Sequence, residues 1–153
     1  MNAIELLKQD HQEAAGMMDE LETADKGSLN ITRDTFRRLK AALTLHTQIE
    51  EQVFYPALEQ HEETRDIIGE AHSEHNEVKE MLAEMATMNP GSDEFMDKLT
   101  ELRDSVEHHV EEEEHEMFPK AEKVLGQSRL QEMGRQMEQI KQGQSATATN
   151  RRQ

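Results

Sequence analysis

Along four stretches of the chain, apolar side chains recur every three or four residues, the spacing that lines one face of an α-helix. Ile4, Leu7, His11, Ala14, Met18 and Leu21 form the first such stripe and predict a helix from residue 2 to about 24. Asp25, Lys26 and Gly27 interrupt it, glycine being a common helix terminator. Thr32 is placed to cap a second helix, whose stripe runs Leu39, Leu43, His46, Glu50, Val53 and Ala57. Pro56 lacks the amide that would bond the Gln52 carbonyl, so a kink is expected there.

A polar stretch from Gln60 to Thr64 is expected to hold a turn. A third helix, from about Arg65 to Met88, carries Ile68, Ala71, His75, Val78, Leu82 and Met85. Asn89, Pro90 and Gly91 close it, and Ser92 followed by Asp93 and Glu94 opens a fourth. The fourth stripe is Phe95, Leu99, Leu102, Val106, His109, Glu113 and Met117, and Gly126 ends it. Ser128 and Gln131 have the spacing of a capping box, which predicts a short fifth helix over 126–142. The polar chain over 143–153 is expected to be a disordered tail.

Several members of these stripes are not apolar. His11, His46, Glu50, His75, His109 and Glu113 all fall where the pattern calls for core side chains. Two of the stretches are copies: His46 to Pro56 and His109 to Pro119 both read His-x3-Glu-x5-Pro. A helix advances about 100° per residue, so the His and Glu of each copy share a face. The copies extend further, since Asp10-His11 matches Glu74-His75 at nearly the same distance upstream. Two αα-hairpins related by approximate two-fold symmetry predict an all-α fold, an up-down-up-down four-helix bundle over 1–125.

Composition supports helices: aromatics are 3% of 153 residues, there is no Trp, and Met is abundant. The formal charge of −16 repels phosphate backbones and anionic lipid, so neither nucleic acid nor membrane is an expected partner. Acidity by itself is weak evidence for a metal, because most such carboxylates are solvated helix faces. The absence of cysteine excludes disulfides, zinc-thiolate sites, iron–sulfur clusters and thiol chemistry. Met1 to Ala15 carries Glu5, Lys8 and Asp10 with no long apolar run, unlike a signal peptide, and a cytoplasmic location is expected.

Two carboxylates among Leu, Val and Met are costly unless compensated, and each makes the other worse. Neutral imidazoles bring lone pairs but no charge. A pair of cations answers both, and His with ionised Glu suits iron, manganese or zinc. The bland alternatives are satisfied core histidines and chance surface pairs; the duplication in core register favours metal. His61, His72, His108 and His115 lie off the stripes or at their edges, with His72 the one among them near enough to contribute. Tyr55, the sole Tyr, is read as a packing residue beside the kink rather than one facing the pocket.

His11, the His46-x3-Glu50 pair, His75 and the His109-x3-Glu113 pair, followed by Phe-Tyr-Pro and Phe-Pro, resemble the hemerythrin-like HHE cation-binding domains over about residues 1–125. That resemblance implies two iron ions in an oxo- or hydroxo-bridged non-haem centre. It also implies a small-molecule partner, O2, hydrogen peroxide or nitric oxide. Oxygen-carrying hemerythrins use five His and a His-x3-His pair on the third helix; here Lys79 stands four residues after His75. The resemblance to the carriers thus stops short of their ligand set. The expected function is a di-iron protein binding or turning over a small oxidant, as a monomer or weak oligomer. With no flavin or reductase motif, its electrons would come from a separate partner. The alternatives are a non-enzymatic iron-binding or redox/oxygen-sensing module, and an acidic bundle without metal.

Overall fold

A computed structural model describes residues 1–24 and 27–152, with side chains described through Gly143. Helix α1 (Ala3–Thr23) starts on a reciprocal cap: Asn2 Oδ1 accepts from the Glu5 amide at 2.9 Å and Glu5 Oε1 accepts from the Asn2 amide at 3.2 Å. All six positions of the predicted stripe are buried. The chain resumes in α2 (Leu29–Ile49), which begins earlier than expected. Thr32 is therefore not the cap but sits in the first turn, donating back to the Ser28 carbonyl at 3.2 Å. Asp25 and Lys26, part of the expected stop signal, lie outside the described residues.

The kink expected at Pro56 takes the form of a π-helical turn, Glu50–Phe54, that leads into α3 (Tyr55–Glu59). The Tyr55 amide bonds the Glu50 carbonyl, an i to i+5 contact that accommodates one extra residue in the turn. That residue moves the stripe by one place. Phe54 is fully buried and Val53, the expected core residue, is only partly covered. The second copy has the same turn at Glu113–Met117, before α6 (Phe118–Leu125). Both wide turns begin at the glutamate and end just before the residue that precedes proline.

The turn between the first two hairpins is shorter than Gln60 to Thr64. Helix α4 (Glu62–Met85) starts and stops three residues before the predicted limits, and its predicted stripe is buried throughout. Thr64 lies inside it and donates to the Leu58 carbonyl at 2.5 Å, tying α4 to the end of α3. Ser92 caps α5 (Asp93–Glu112) as expected, accepting from the Phe95 amide at 3.1 Å. Gly126 ends α6 with φ of 80°, a conformation that strains any side chain.

Helix α7 (Gln127–Arg152) follows at once. It extends beyond the predicted end at Gln142, and Ser128 lies within its first turn rather than capping it. The expected tail over 143–153 falls, in its side chains beyond Gly143, outside the described residues. Residues 127–142 dock on α1 and α2. Gly134 makes this possible: a Cβ there would lie 2.3 Å from the Met1 carbonyl oxygen.

The buried apolar residues form two clusters. One holds Phe36, Leu39, Leu82, Phe95 and Leu102 at the end of the bundle near Pro90, closed by Phe36 against the edge of Phe95 with ring centres 5.5 Å apart. The other holds Leu7, Phe54, Leu58, Ile68 and Phe118, with Leu130, Met133 and Met137 of α7. Between them runs a polar layer. Among the described residues, no helix is long and apolar enough to cross a membrane.

Candidate metal centre

The polar layer consists of the six residues singled out by register. Glu50 and Glu113 have no exposed surface, and His11, His46, His75 and His109 are buried. They fall into two trios, His11 with His46 and Glu113, and His75 with His109 and Glu50; ligand atoms within each trio lie within 4.8 Å of one another. The imidazole pairs are near copies: His11 and His46 meet at 4.9 Å and 67°, His75 and His109 at 4.8 Å and 64°. Each carboxylate lies between the pairs. Glu50 Oε1 is 3.1 Å from His75 Nε2 and 3.0 Å from His46 Nε2. Glu113 Oε1 is 3.1 Å from His11 Nε2 and 3.4 Å from His109 Nε2.

Every imidazole turns Nε2 inward and Nδ1 outward onto a further carboxylate. Asp10 Oδ2 receives His46 Nδ1 at 3.0 Å, and Glu74 Oε1 receives His109 Nδ1 at 2.7 Å. Glu51 Oε1 receives His75 Nδ1 at 3.2 Å, and Glu114 Oε2 receives His11 Nδ1 at 2.8 Å. The pattern obeys the two-fold symmetry: the acidic residue before an α1 or α4 histidine holds the partner histidine of its own hairpin. The acidic residue after a glutamate of the π turn holds the histidine of the other hairpin. A carboxylate only accepts, so each Nδ1 carries a proton donated outward, and Nε2 is the ligand atom that faces inward. These four outer carboxylates were not picked out from the sequence. Their signal was present, since each is adjacent to one of the six and duplicated with it.

This arrangement sets acceptor against acceptor. An Nε2 lone pair facing a carboxylate oxygen at about 3 Å needs a positive charge between or upon them. Without metal, protons supply it. Burial opposes charge on His46 and His109, but the carboxylates prevail: Glu50 and Asp10 raise His46 to about 10, and Glu113 with Glu50 and Glu74 raises His109 to about 11. Burial also opposes charge on Glu50, which the His46 imidazolium nevertheless holds well below the usual carboxylate range. Glu113 is pushed up by burial and by the Glu50 charge. Protons do not complete the site. Among the described residues, the buried side-chain atoms left without a hydrogen-bond partner are His46 Nε2 and Glu50 Oε2. Two orphaned donor atoms of metal-ligand type, in a layer of four imidazoles and two carboxylates, fit a cation set.

Tyr55 corrects the packing reading. Its ring is fully buried, but its hydroxyl enters the layer, donating to Glu113 Oε2 at 2.9 Å and lying 3.1 Å from His75 Nε2. Burial and the two glutamates push the phenol well above its ordinary value, so it stays protonated. His72 does not reach the layer; its Nε2 faces Glu59 at 3.2 Å and its ring meets the edge of Tyr55. His108 and His115 are exposed, as expected. On the other side of the imidazoles, a cavity of about 30 Å³ is roofed by Leu43, Val78 and Val106.

The match to known proteins follows this geometry. The model of the hemerythrin HHE cation binding domain matches residues 2–121. The chain belongs to the hemerythrin HHE cation-binding family. A DNA nickase of Nostoc sp. is 28% identical over 123 residues, which are 77% of this chain and 33% of that protein. An uncharacterized hemerythrin-like protein of Schizosaccharomyces pombe is 34% identical over 101 residues, 65% of this chain and 50% of that one. The chain thus spans about a third to a half of the length of these two curated relatives. The crystal structure of a hemerythrin HHE cation binding domain-containing protein from Mycobacterium kansasii superposes with a TM-score of 0.84 at 27% identity, covering 99% of this chain and 93% of that one. The bundle expected from the repeats, hemerythrin-like by the resemblance of its motifs, is therefore the fold observed, and its His and Glu clusters fit the family's cation-binding character.

Proposed function

We propose that this hemerythrin-like chain is a non-haem di-iron protein that binds or turns over a small oxidant, O2, hydrogen peroxide or nitric oxide. His11, His46 and Glu113 would hold one ion, and His75, His109 and Glu50 the other, each carboxylate also reaching toward the neighbouring pair. The observation that carries the reading is the inward convergence of four Nε2 atoms and two carboxylates, each Nδ1 anchored from outside. Once bound, iron supplies Lewis acidity and a store of electrons.

The chain's own groups set the conditions. The outer carboxylates fix the imidazoles and raise their basicity toward a cation. The apolar roof limits what reaches them, because about 30 Å³ admits only one or two molecules of water's size. Tyr55 Oη keeps a proton beside Glu113. A cavity this small favours ligands of two or three non-hydrogen atoms over any larger organic substrate.

The test is iron analysis with a visible spectrum, followed by peroxide addition with O2 measured. About two irons per chain and O2 evolution above that of free iron are expected. A chain that takes up no iron when offered it under reducing conditions overturns the reading. Iron uptake with no reaction toward peroxide, nitric oxide or O2 leaves the non-enzymatic iron-binding or sensing module in its place.

A further inference from the structure

The two halves of the bundle are covered unequally. Helix α7 buries Leu6 and Ile49 of the first half beneath Leu130, Met133 and Met137. At the matching places in the second half stand Glu70 and Glu112, on a face that α7 leaves uncovered. The inequality reaches the layer around the imidazoles. Asp10, whose side chain is 8% exposed, holds His46 through Oδ2 and is gripped at Oδ1 by the Lys141 ammonium of α7. Its counterpart Glu74 holds His109, but its other oxygen faces the exposed His108 at 3.5 Å, with no lysine on it among the described residues. Lys79 touches Glu51 at 3.4 Å, from a side chain that is 49% exposed.

A carboxylate bound at one oxygen can swing about its last torsion, whereas one bound at both is fixed in its plane. Lys141 leaves Asp10 no such freedom, and the plane of Asp10 sets the direction of His46 Nδ1–H and so of the His46 lone pair. We propose that Lys141 is a positioning residue of the metal centre, coupling the docking of α7 to retention of the ion held by His11, His46 and Glu113. The proposal rests on the di-iron reading and deepens it. By linkage, whatever factor docked α7 adds to retention of that ion, the ion adds to docking of α7. No tie to α7 reaches the other trio, where the carboxylate on His75, Glu51, meets Lys79 of α4 instead, so docking of α7 bears on one ion only.

The test uses the full chain loaded with iron and mixed with excess chelator. Lys141→Met is expected to speed release of one ion about tenfold, the scale of a lost outer-layer contact, and to leave the other unchanged. Lys141→Arg should restore the wild-type rate, and Lys79→Met should leave the ion held by His11, His46 and Glu113 at its wild-type rate. The proposal is overturned if Lys141→Met releases both ions at wild-type rates, if it speeds both equally, or if Lys141→Arg behaves as Lys141→Met. A second measurement needs no metal: in ¹⁵N spectra of the metal-free chain, Lys141→Met should shift the His46 Nδ1–H resonance and spare that of His109. An unmoved His46 resonance sinks the positioning role even where iron binds. Failure of the wild-type chain to take iron sinks the di-iron reading, while the spectra still decide the part played by Lys141.

Discussion

Tyr55 and Phe118 occupy matching places in the two halves, each just before the proline, and each stacks on an imidazole of the opposite hairpin. Tyr55 lies on His75 with ring centres 5.2 Å apart, and Phe118 lies parallel to His11 at 6.0 Å. The pair differs by one hydroxyl, and that hydroxyl donates to Glu113. A single hydroxyl therefore breaks the near-symmetry of the centre, donating to Glu113 of one trio while lying 3.1 Å from His75 Nε2 of the other.

Removing it has a defined consequence. Tyr55→Phe leaves the fully buried Glu113 Oε2 without its donor while keeping the ring stack. The metal-free protein should lose about 1–3 kcal/mol in denaturant unfolding, the usual penalty of an orphaned buried acceptor. A loss within experimental error would mean that the phenol does not hold Glu113.

Adjacent histidines on α5 separate ligand from bystander. His109 is buried with Nε2 inward, whereas the side chain of His108 is 66% exposed and pairs with Glu112 at 3.0 Å. His109→Ala should sharply reduce bound iron, and His108→Ala should leave it near the wild-type amount. Equal losses, measured by metal analysis after identical loading, would show that the inward face of α5 has been misassigned.

The metal-free chain should be sensitive to alkali. His46 and His109 are raised to about 10 and about 11, so their imidazolium forms stabilise the fold fully below the ordinary histidine value of 6.5. That contribution is lost progressively as pH rises from the ordinary histidine value to the folded-state values, so denaturation midpoints should fall from about pH 7 onward and level off above about pH 11. Because metal must displace those protons, loading near neutral pH should release acid, detectable by titration in weak buffer. A metal-free midpoint that rises over the same range would contradict the assigned charges.

Gly134 offers a steric test of the last helix. A Cβ placed there meets the Met1 carbonyl oxygen at 2.3 Å and the Asn2 carbonyl carbon at 2.9 Å, both backbone atoms that cannot swing aside. Gly134→Val should therefore push α7 off α1, cost about 1–3 kcal/mol as overpacking does, and expose the α6–α7 junction at Gly126 to limited proteolysis. An unchanged digestion pattern would show that the N-terminus of α1 yields instead.

Much of this molecule could be read from spacing alone. Four amphipathic stripes specify four helices, because burial of one face is what stabilises a helix in water. The six polar intruders were legible for the same reason: His11, His46, Glu50, His75, His109 and Glu113 occupy places where only a compensated charge survives. Boundaries were less legible. Thr32 looked like a cap and proved internal, buried in the first turn with its hydroxyl donating back to the Ser28 carbonyl.

What the chain could not reveal along its length is what lies across space. The wide turns after Glu50 and Glu113 move Phe54 inward in place of Val53, a shift in register that a fixed helical period cannot express. Asp10, Glu51, Glu74 and Glu114 stand beside the six in duplicate, but which imidazole each one holds is decided only when the four helices close. Tyr55 becomes a donor, and Lys141 comes to rest on Asp10, only through packing. Periodicity is a local property and determined the helices and the identity of the inward groups. Hydrogen-bond partnership depends on which surfaces meet, and that was decided by the tertiary fold.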